Sequence, residues 1–277
     1  MTFSIVARST DGERWGVAVA SKFLAAGAVV PGVHAPLGAI ATQSFANLRY
    51  LPDGFALLAE GRTAQETLDA LVAADDGRAQ RQAGIVDGEG RPATFTGEDC
   101  LAWAGGVTGP GYAIQGNILT GPEVVAEMER AFLASDPTQP LALRLHAALL
   151  AGDRAGGDSR GRQSAAILVG GVGAGYGGGS DIAVDLRVDD HQDPVVELGR
   201  LLRMHDLVFG RPTETWPVEG EVADRLRRAL DALGYIDPDL MDALEHAAGV
   251  ENLEERLVPG AVDPVVLAYL EERAAGL

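Results

Sequence analysis

The sequence predicts an α+β protein in which sheets pack on one another with helices outside, followed by a smaller helical domain. Three observations lead there. Apolar segments of strand length come in runs with helical segments inserted, not in strict one-for-one alternation. Thirty-six glycines among 277 residues supply the tight turns that many short strands require. After His191 the glycine-rich pattern stops and charged, helix-periodic segments take over.

Taken in order, Thr2 to Arg8 alternates, with Phe3, Ile5 and Ala7 on one face and Thr2, Ser4 and Val6 on the other. The turn Ser9-Thr10-Asp11-Gly12 then leads into Trp15 to Lys22, so the chain opens with a β-hairpin that returns Ser21 and Lys22 beside Thr2. Phe23 to Phe45 is nearly uncharged but carries Pro31, Gly32, Pro36 and Gly38, which suits buried strands and turns rather than a membrane helix. Strands are expected at Gly38–Gln43, Ala83–Asp87, Ala93–Thr96, Gly111–Gln115, Ser164–Val169 and Ile182–Val188. Helices are expected over Thr63–Ala74, Pro122–Ala134 and Pro140–Leu150, the last two opening with a proline suited to a first turn.

The glycine run from Gly170 to Gly179 contains a formal GxGxxG, but it joins two expected strands, whereas a dinucleotide loop joins a strand to a helix. A hairpin loop is the better reading. Beyond residue 193 helical spacing recurs at Val195–Leu207, Glu221–Leu233, Asp239–Ala247 and Asp263–Glu272, so the expected domains are 1–193 and 194–277.

Composition narrows the functional classes. A net charge of -18 repels nucleic acid and anionic membrane surfaces, so neither is an expected partner. The lone cysteine, Cys100, allows no internal disulfide. No signal-peptide pattern precedes the first strand, and the expected location is the cytoplasm. A homo-oligomer is compatible with the sequence but not demanded by it.

Polar residues gather where apolar strands end. Gln43 and Asn47 follow one strand, and Gln115 and Asn117 close another. Their amides can bind a substrate or donate to an oxyanion, or simply cap turns. Gly157, Asp158, Arg160 and Gln163 lie in a polar turn before Ala165–Val169, where backbone N–H groups can face an anion, or where Asp158 and Arg160 merely pair. Asp189, Asp190 and His191 could hold a divalent metal, although alternation puts Asp185, Arg187 and Asp189 on one strand face, where internal pairing is the simpler expectation.

Thr2 carries a distinct chemistry. Threonine is small enough for Met1 to be trimmed after synthesis, which leaves a hydroxyl and a free α-amine on one residue. With an amine pKa of about 7.7–8.0, a useful fraction is neutral and can take the hydroxyl proton. Lys22, the only lysine, would lower that pKa further by repulsion. On composition alone, an ordinary strand start is the simpler explanation of Thr2.

The segments MTFSIVARS, GVAVASKF, IATQSFAN, RQAGIVD, QGNIL, AGGDSRGRQSAAILV and DLRVDDHQDPVVEL, in that order over residues 1 to about 200, resemble the domain-of-unknown-function-1028 family, grouped with the N-terminal nucleophile (Ntn) hydrolases. The resemblance implies a four-layer αββα sandwich and hydrolysis of a small amide, ureido or peptide-like substrate without metal or cofactor, with Thr2 as nucleophile. Lys22 and Asn117 are then expected catalytic neighbours, and Gln43, Asn47, Gln115, Gly157, Asp158, Arg160, Gln163 and Asp189 expected substrate contacts. In the tail, LGRLLRMHDLVFG, LDALGY and ALEHAAGVENLEER resemble a peptidoglycan-binding-like module. Two rival functions stand beside the hydrolase. One is a non-catalytic binding protein that uses a degenerate cleft for a peptide or cell-wall fragment, and the other a metal-assisted hydrolase at Asp189, Asp190 and His191.

Overall fold

The computed structural model describes residues 2–276. The chain divides into two compact units, one ending at Leu202 and one beginning at Arg203.

The first unit holds ten strands: β1 (Thr2–Arg8), β2 (Trp15–Ser21), β3 (Pro31–His34), β4 (Gly38–Ser44), β5 (Arg81–Asp87), β6 (Pro92–Thr96), β7 (Gly105–Gly109), β8 (Tyr112–Asn117), β9 (Ser164–Gly170) and β10 (Ile182–Val188). Its helices are α1 (Tyr50–Ala59), α2 (Ala64–Ala73), α3 (Glu123–Ala134) and α4 (Leu141–Arg154), joined by the first turns of α5 (Pro194–Phe209). Two antiparallel sheets form, ordered β10-β9-β2-β1-β8-β7 and β3-β4-β5-β6. The expected α+β class holds, and the glycine run does connect two antiparallel strands.

Strand alternation builds three apolar layers. Phe3, Ile5 and Ala7 of β1 face Met128 of α3 and Leu145 and Leu149 of α4. Val6, Val17 and Val19 face the second sheet, against Ala39, Ala41 and Val86. On that sheet's far side Ile40 and Ile85 meet Tyr50, Leu58, Leu68 and Leu71 of α1 and α2. The order is helices, sheet, sheet, helices.

Helix α2 begins as its sequence promises, with a reciprocal capping box between Thr63 and Glu66. Helix α1 departs from the sequence reading, which placed none there. Pro52 falls in its first turn, where no intrahelical N–H is lost. Gly54 packs against Ile40, whose Cδ1 a Cβ there would approach to 2.6 Å. Edge strand β7 was also unforeseen, its Gly-Gly-Val-Thr-Gly sequence carrying almost no apolar pattern.

The second unit carries α6 (Gly220–Leu233), α7 (Leu240–Glu251) and α8 (Pro264–Ala275), with a two-stranded sheet of β11 (Trp216–Pro217) and β12 (Ala261–Val262) that the helical reading did not include. Leu226, Leu230, Leu244, Val266, Leu267 and Leu270 form its core. Asp239 and Asp263 cap α7 and α8 by accepting from backbone N–H groups. Among the described residues, no helix is long and apolar enough to cross a membrane.

Candidate active site

The face of β1 that carries Val6 into the inter-sheet core carries Ser4 and Thr2 toward the end of the sandwich. Strand register sets their neighbours. Thr2 pairs with Asn117 on β8, and the β1–β2 register that aligns Phe3 with Ala20 brings Ser21 to its other side. Ser21 is paired in turn with Ser164 on β9. Small polar residues thus form a row across four strands, and the Thr2 and Ser21 hydroxyls lie 3.1 Å apart.

A second polar row lies deeper. Gln43 pairs with Gln82, and Gln82 with Thr96, on the facing sheet. Their amides bridge the sheets. Gln43 Nε2 donates to Gln82 Oε1 at 2.8 Å and to the Thr2 carbonyl at 3.3 Å, while its Oε1 accepts from Ser4 Oγ at 2.6 Å. Gln115 Nε2 donates to Ser4 Oγ at 2.6 Å, and Asn117 Nδ2 donates to Gln82 Oε1 at 2.8 Å. Gln82 Nε2 donates to the Gly116 carbonyl at 2.7 Å and to Thr96 Oγ1 at 2.9 Å. Gly84 makes this possible, because a Cβ there would sit 2.1 Å from Gln115 Oε1.

These amides are buried, so their bonds are strong and their loss is expensive. Replacing Gln82 with leucine removes the shared acceptor of Gln43 and Asn117 together with the donor to the Gly116 carbonyl and Thr96 Oγ1. We expect destabilisation of about 2–4 kcal/mol in urea unfolding.

Above the rows opens a cavity of about 620 Å³, lined by Thr2, Gln43, Asn117, Arg81, Arg160, Ser44 and Ile118, with Phe23, Phe45, Leu48 and Leu101 among its apolar walls. Thr2 is only 6% exposed. Ser44 (φ 69°) and Ile118 (φ 52°) hold left-handed backbone at the ends of β4 and β8, a local strain of the kind found where a site imposes geometry. A neighbouring cavity of about 400 Å³ is lined by Ser21, Asp153, Asp158, Arg162 and Ser164.

Of the expected site residues, the described lining of the larger cavity therefore contains Thr2, Gln43, Asn117 and Arg160. Gln115 lies beneath it in the amide network. Asp158, buried, accepts from the Lys22 backbone N–H at 2.8 Å and from Arg160 Nη2 at 3.3 Å, so it fixes the turn that presents Arg160. The Lys22 ammonium is directed to the Arg162 carbonyl at 3.3 Å.

Gly157 was expected to offer an oxyanion donor, and here the structure corrects the reading. Its N–H donates to the Gly152 carbonyl at 3.0 Å, where the chain leaves α4. Asn117 is corrected likewise, since its Nδ2 faces protein acceptors and its Oδ1 is the atom without a partner. Gln163 donates to Asp190, and Asp189 is exposed at the end of β10. Arg187 pairs with Asp185 at 2.8 Å, as strand alternation suggested. His191 Nδ1 accepts from the Asp193 N–H, and no group of three or more His, Cys, Asp or Glu side chains converges on a metal position among the described residues. The metal-assisted alternative has no constellation to rest on.

Asn47 serves the site indirectly. It donates to Asp75 Oδ2 at 2.9 Å, and Asp75 holds Arg81 Nε at 2.9 Å while Arg81 Nη1 reaches the Phe45 carbonyl at 2.7 Å. Hydrogen bonds from Arg81 first, then from Asn47 and the Gly77 N–H, hold the Asp75 carboxyl well below its ordinary range. A folded-state value below the unfolded one, about 3.9, means that the stabilisation is complete above about pH 4 and drains away as pH falls below it. The stability gap between the native chain and Asp75→Asn should therefore shrink between pH 6 and pH 3 in urea titrations.

Sequence reasoning missed Arg81, Gln82, Ser4 and Ser21 as site residues. The signal for Ser21 existed, because the Asp-Gly hairpin already set it beside Thr2. Gln82 gave none, since its partners come from strands far apart in sequence.

Comparison with known proteins sets this geometry in a family. A model described as "Family of unknown function (DUF1028)" matches residues 2–198. The chain belongs to the DUF1028 family. A solved DUF1028 structure from Silicibacter pomeroyi is 28% identical and superposes with a TM-score of 0.66, covering 80% of this chain and 92% of its own. Anbu, the ancestral beta-subunit from Yersinia bercovieri, matches at 11% identity with a TM-score of 0.35, over 73% of this chain and 93% of its own. In the second unit, residues 207–270 match a model described as "Putative peptidoglycan binding domain". The chain matches none of the curated proteins. The DUF1028 match spans both sheets and every residue of the Thr2 cavity named above.

Proposed function

We propose that this DUF1028 protein is an Ntn-type amidohydrolase acting on a small amide, ureido or peptide-like substrate, with Thr2 as nucleophile once Met1 has been removed. Met1 itself lies outside the described residues. The carrying observation is the Thr2 hydroxyl on the wall of a cavity at the end of two packed sheets, with a second hydroxyl 3.1 Å away.

In this reading the freed Thr2 amine takes the hydroxyl proton as Oγ1 attacks the carbonyl carbon. The proton passes to the departing nitrogen as the C–N bond breaks, leaving an ester on Thr2. Water, deprotonated by the same amine, attacks that ester and releases the acid. Ser21 orients the Thr2 hydroxyl. Arg160, set by Asp158, supplies positive charge on the cavity wall for the substrate oxygen.

Removing Met1 is the condition of the mechanism. Protein made in cells should weigh about 131 Da less than the full translation product, and turnover on a panel of small amides should follow the fraction that carries a free Thr2 amine. A chain with one extra, non-removable residue ahead of Thr2 should be inert. Equal turnover by that chain would sink the proposal.

A further inference from the structure

Two features of the cavity remain unused by this mechanism. The first is Asn117 Oδ1, a buried acceptor with no hydrogen-bond partner. The amide orientation is set by its surroundings, because Nδ2 faces two acceptors, Gln82 Oε1 at 2.8 Å and the Thr2 carbonyl at 3.5 Å. Turning it over would set oxygen against oxygen at both. A buried acceptor in this state can take a donor from elsewhere, and Asn117 lines the cavity that Thr2 lines.

The second is the contrast between the floor of the cavity and its rim. Thr2, Gln43 and Asn117 are buried, whereas Phe23, Phe45, Leu48 and Leu101 are each 54–62% exposed. Four large apolar side chains gathered on one cavity leave surface that gains by being covered. At about 620 Å³ the space also exceeds what an amide group alone would fill.

Resting on the hydrolase reading, we propose that the substrate is a secondary amide with an apolar arm, its N–H donated to Asn117 Oδ1 and its arm laid along Phe23, Phe45, Leu48 and Leu101. An ester of the same shape lacks the donor, and a short primary amide lacks the arm. The site thereby selects against both.

Calorimetric titration of the full-length Thr2→Ala chain, which cannot turn over, tests this with three probes: N-propylhexanamide, propyl hexanoate and acetamide. N-propylhexanamide should bind about tenfold or more tightly than either of the others. Leu48→Ala, a change at an exposed side chain that leaves the core intact, should weaken it roughly threefold. Equal binding of the ester would overturn the proposal. Equal binding of acetamide, or no binding of N-propylhexanamide, would also overturn it. Because binding is read without turnover, failure of the catalytic reading leaves these outcomes standing. Conversely, efficient hydrolysis of amides without an arm preference would remove this proposal and spare the hydrolase.

Discussion

Thr2→Ala is expected to lower kcat/KM on any amide substrate by about 10⁴-fold or more while leaving the chain folded. The size follows from the role. Alanine keeps the terminal amine and the strand, and removes the oxygen that forms the covalent bond together with the γ-methyl. What the fold loses includes the hydroxyl contact to Ser21 Oγ at 3.1 Å, worth about 1 kcal/mol. Thr2→Ser is the matched control, since it restores an oxygen at the same position, and it should recover much of the rate. Kinetics on the amide panel and urea midpoints for the three chains would separate chemistry from stability. Turnover by Thr2→Ala comparable to the native chain would end the nucleophile assignment.

How far the sequence announced this site depends on the kind of interaction involved. Local signals were readable. The Asp-Gly turn set the β1–β2 register, and with it the meeting of Thr2 and Ser21; the Thr63 and Glu66 pair announced the start of α2. Signals overridden by packing were not, as α1 shows, where Pro52 and Gly54 interrupt the helical pattern and Gly54 packs against Ile40. Amide chemistry was legible in type but not in direction. Gln43, Gln115 and Asn117 were recognisable as polar ends of apolar strands, yet nothing local indicates that Gln82 absorbs their hydrogen bonds from the facing sheet. Gly157 misled for the opposite reason. Its loop composition suggested open N–H groups, but the chain leaving α4 had already used that one.

The largest stability effect is expected in the second unit, at Arg256→Met. Arg256 is 4% exposed and its guanidinium makes four hydrogen bonds, donating to Asp263 Oδ2 at 2.5 Å, to Asp206 Oδ2 at 2.9 Å and to the carbonyls of Asp206 and Leu207. Methionine fills similar volume but leaves the Asp263 carboxylate, 2% exposed, without its cation, and takes the Arg256 donor from the Leu207 carbonyl. Breaking a buried pair by removing one partner costs about 3–5 kcal/mol. Asp263 also caps α8 through the Val265 N–H, so the loss reaches that helix. The comparison that makes the argument testable lies nearby. Arg225 grips Glu271 with two bonds of 2.8 Å, but both side chains are about one-third exposed, so Arg225→Met should cost no more than about 1 kcal/mol. If burial, not bond count, decides the outcome, Arg256→Met with Asp263→Leu should recover part of the loss, because the stranded charge has gone with its partner. Urea unfolding of the full chain, followed by far-UV circular dichroism, reads all three variants. An Arg256→Met cost no larger than that of Arg225→Met would show that burial is not what makes this pair matter.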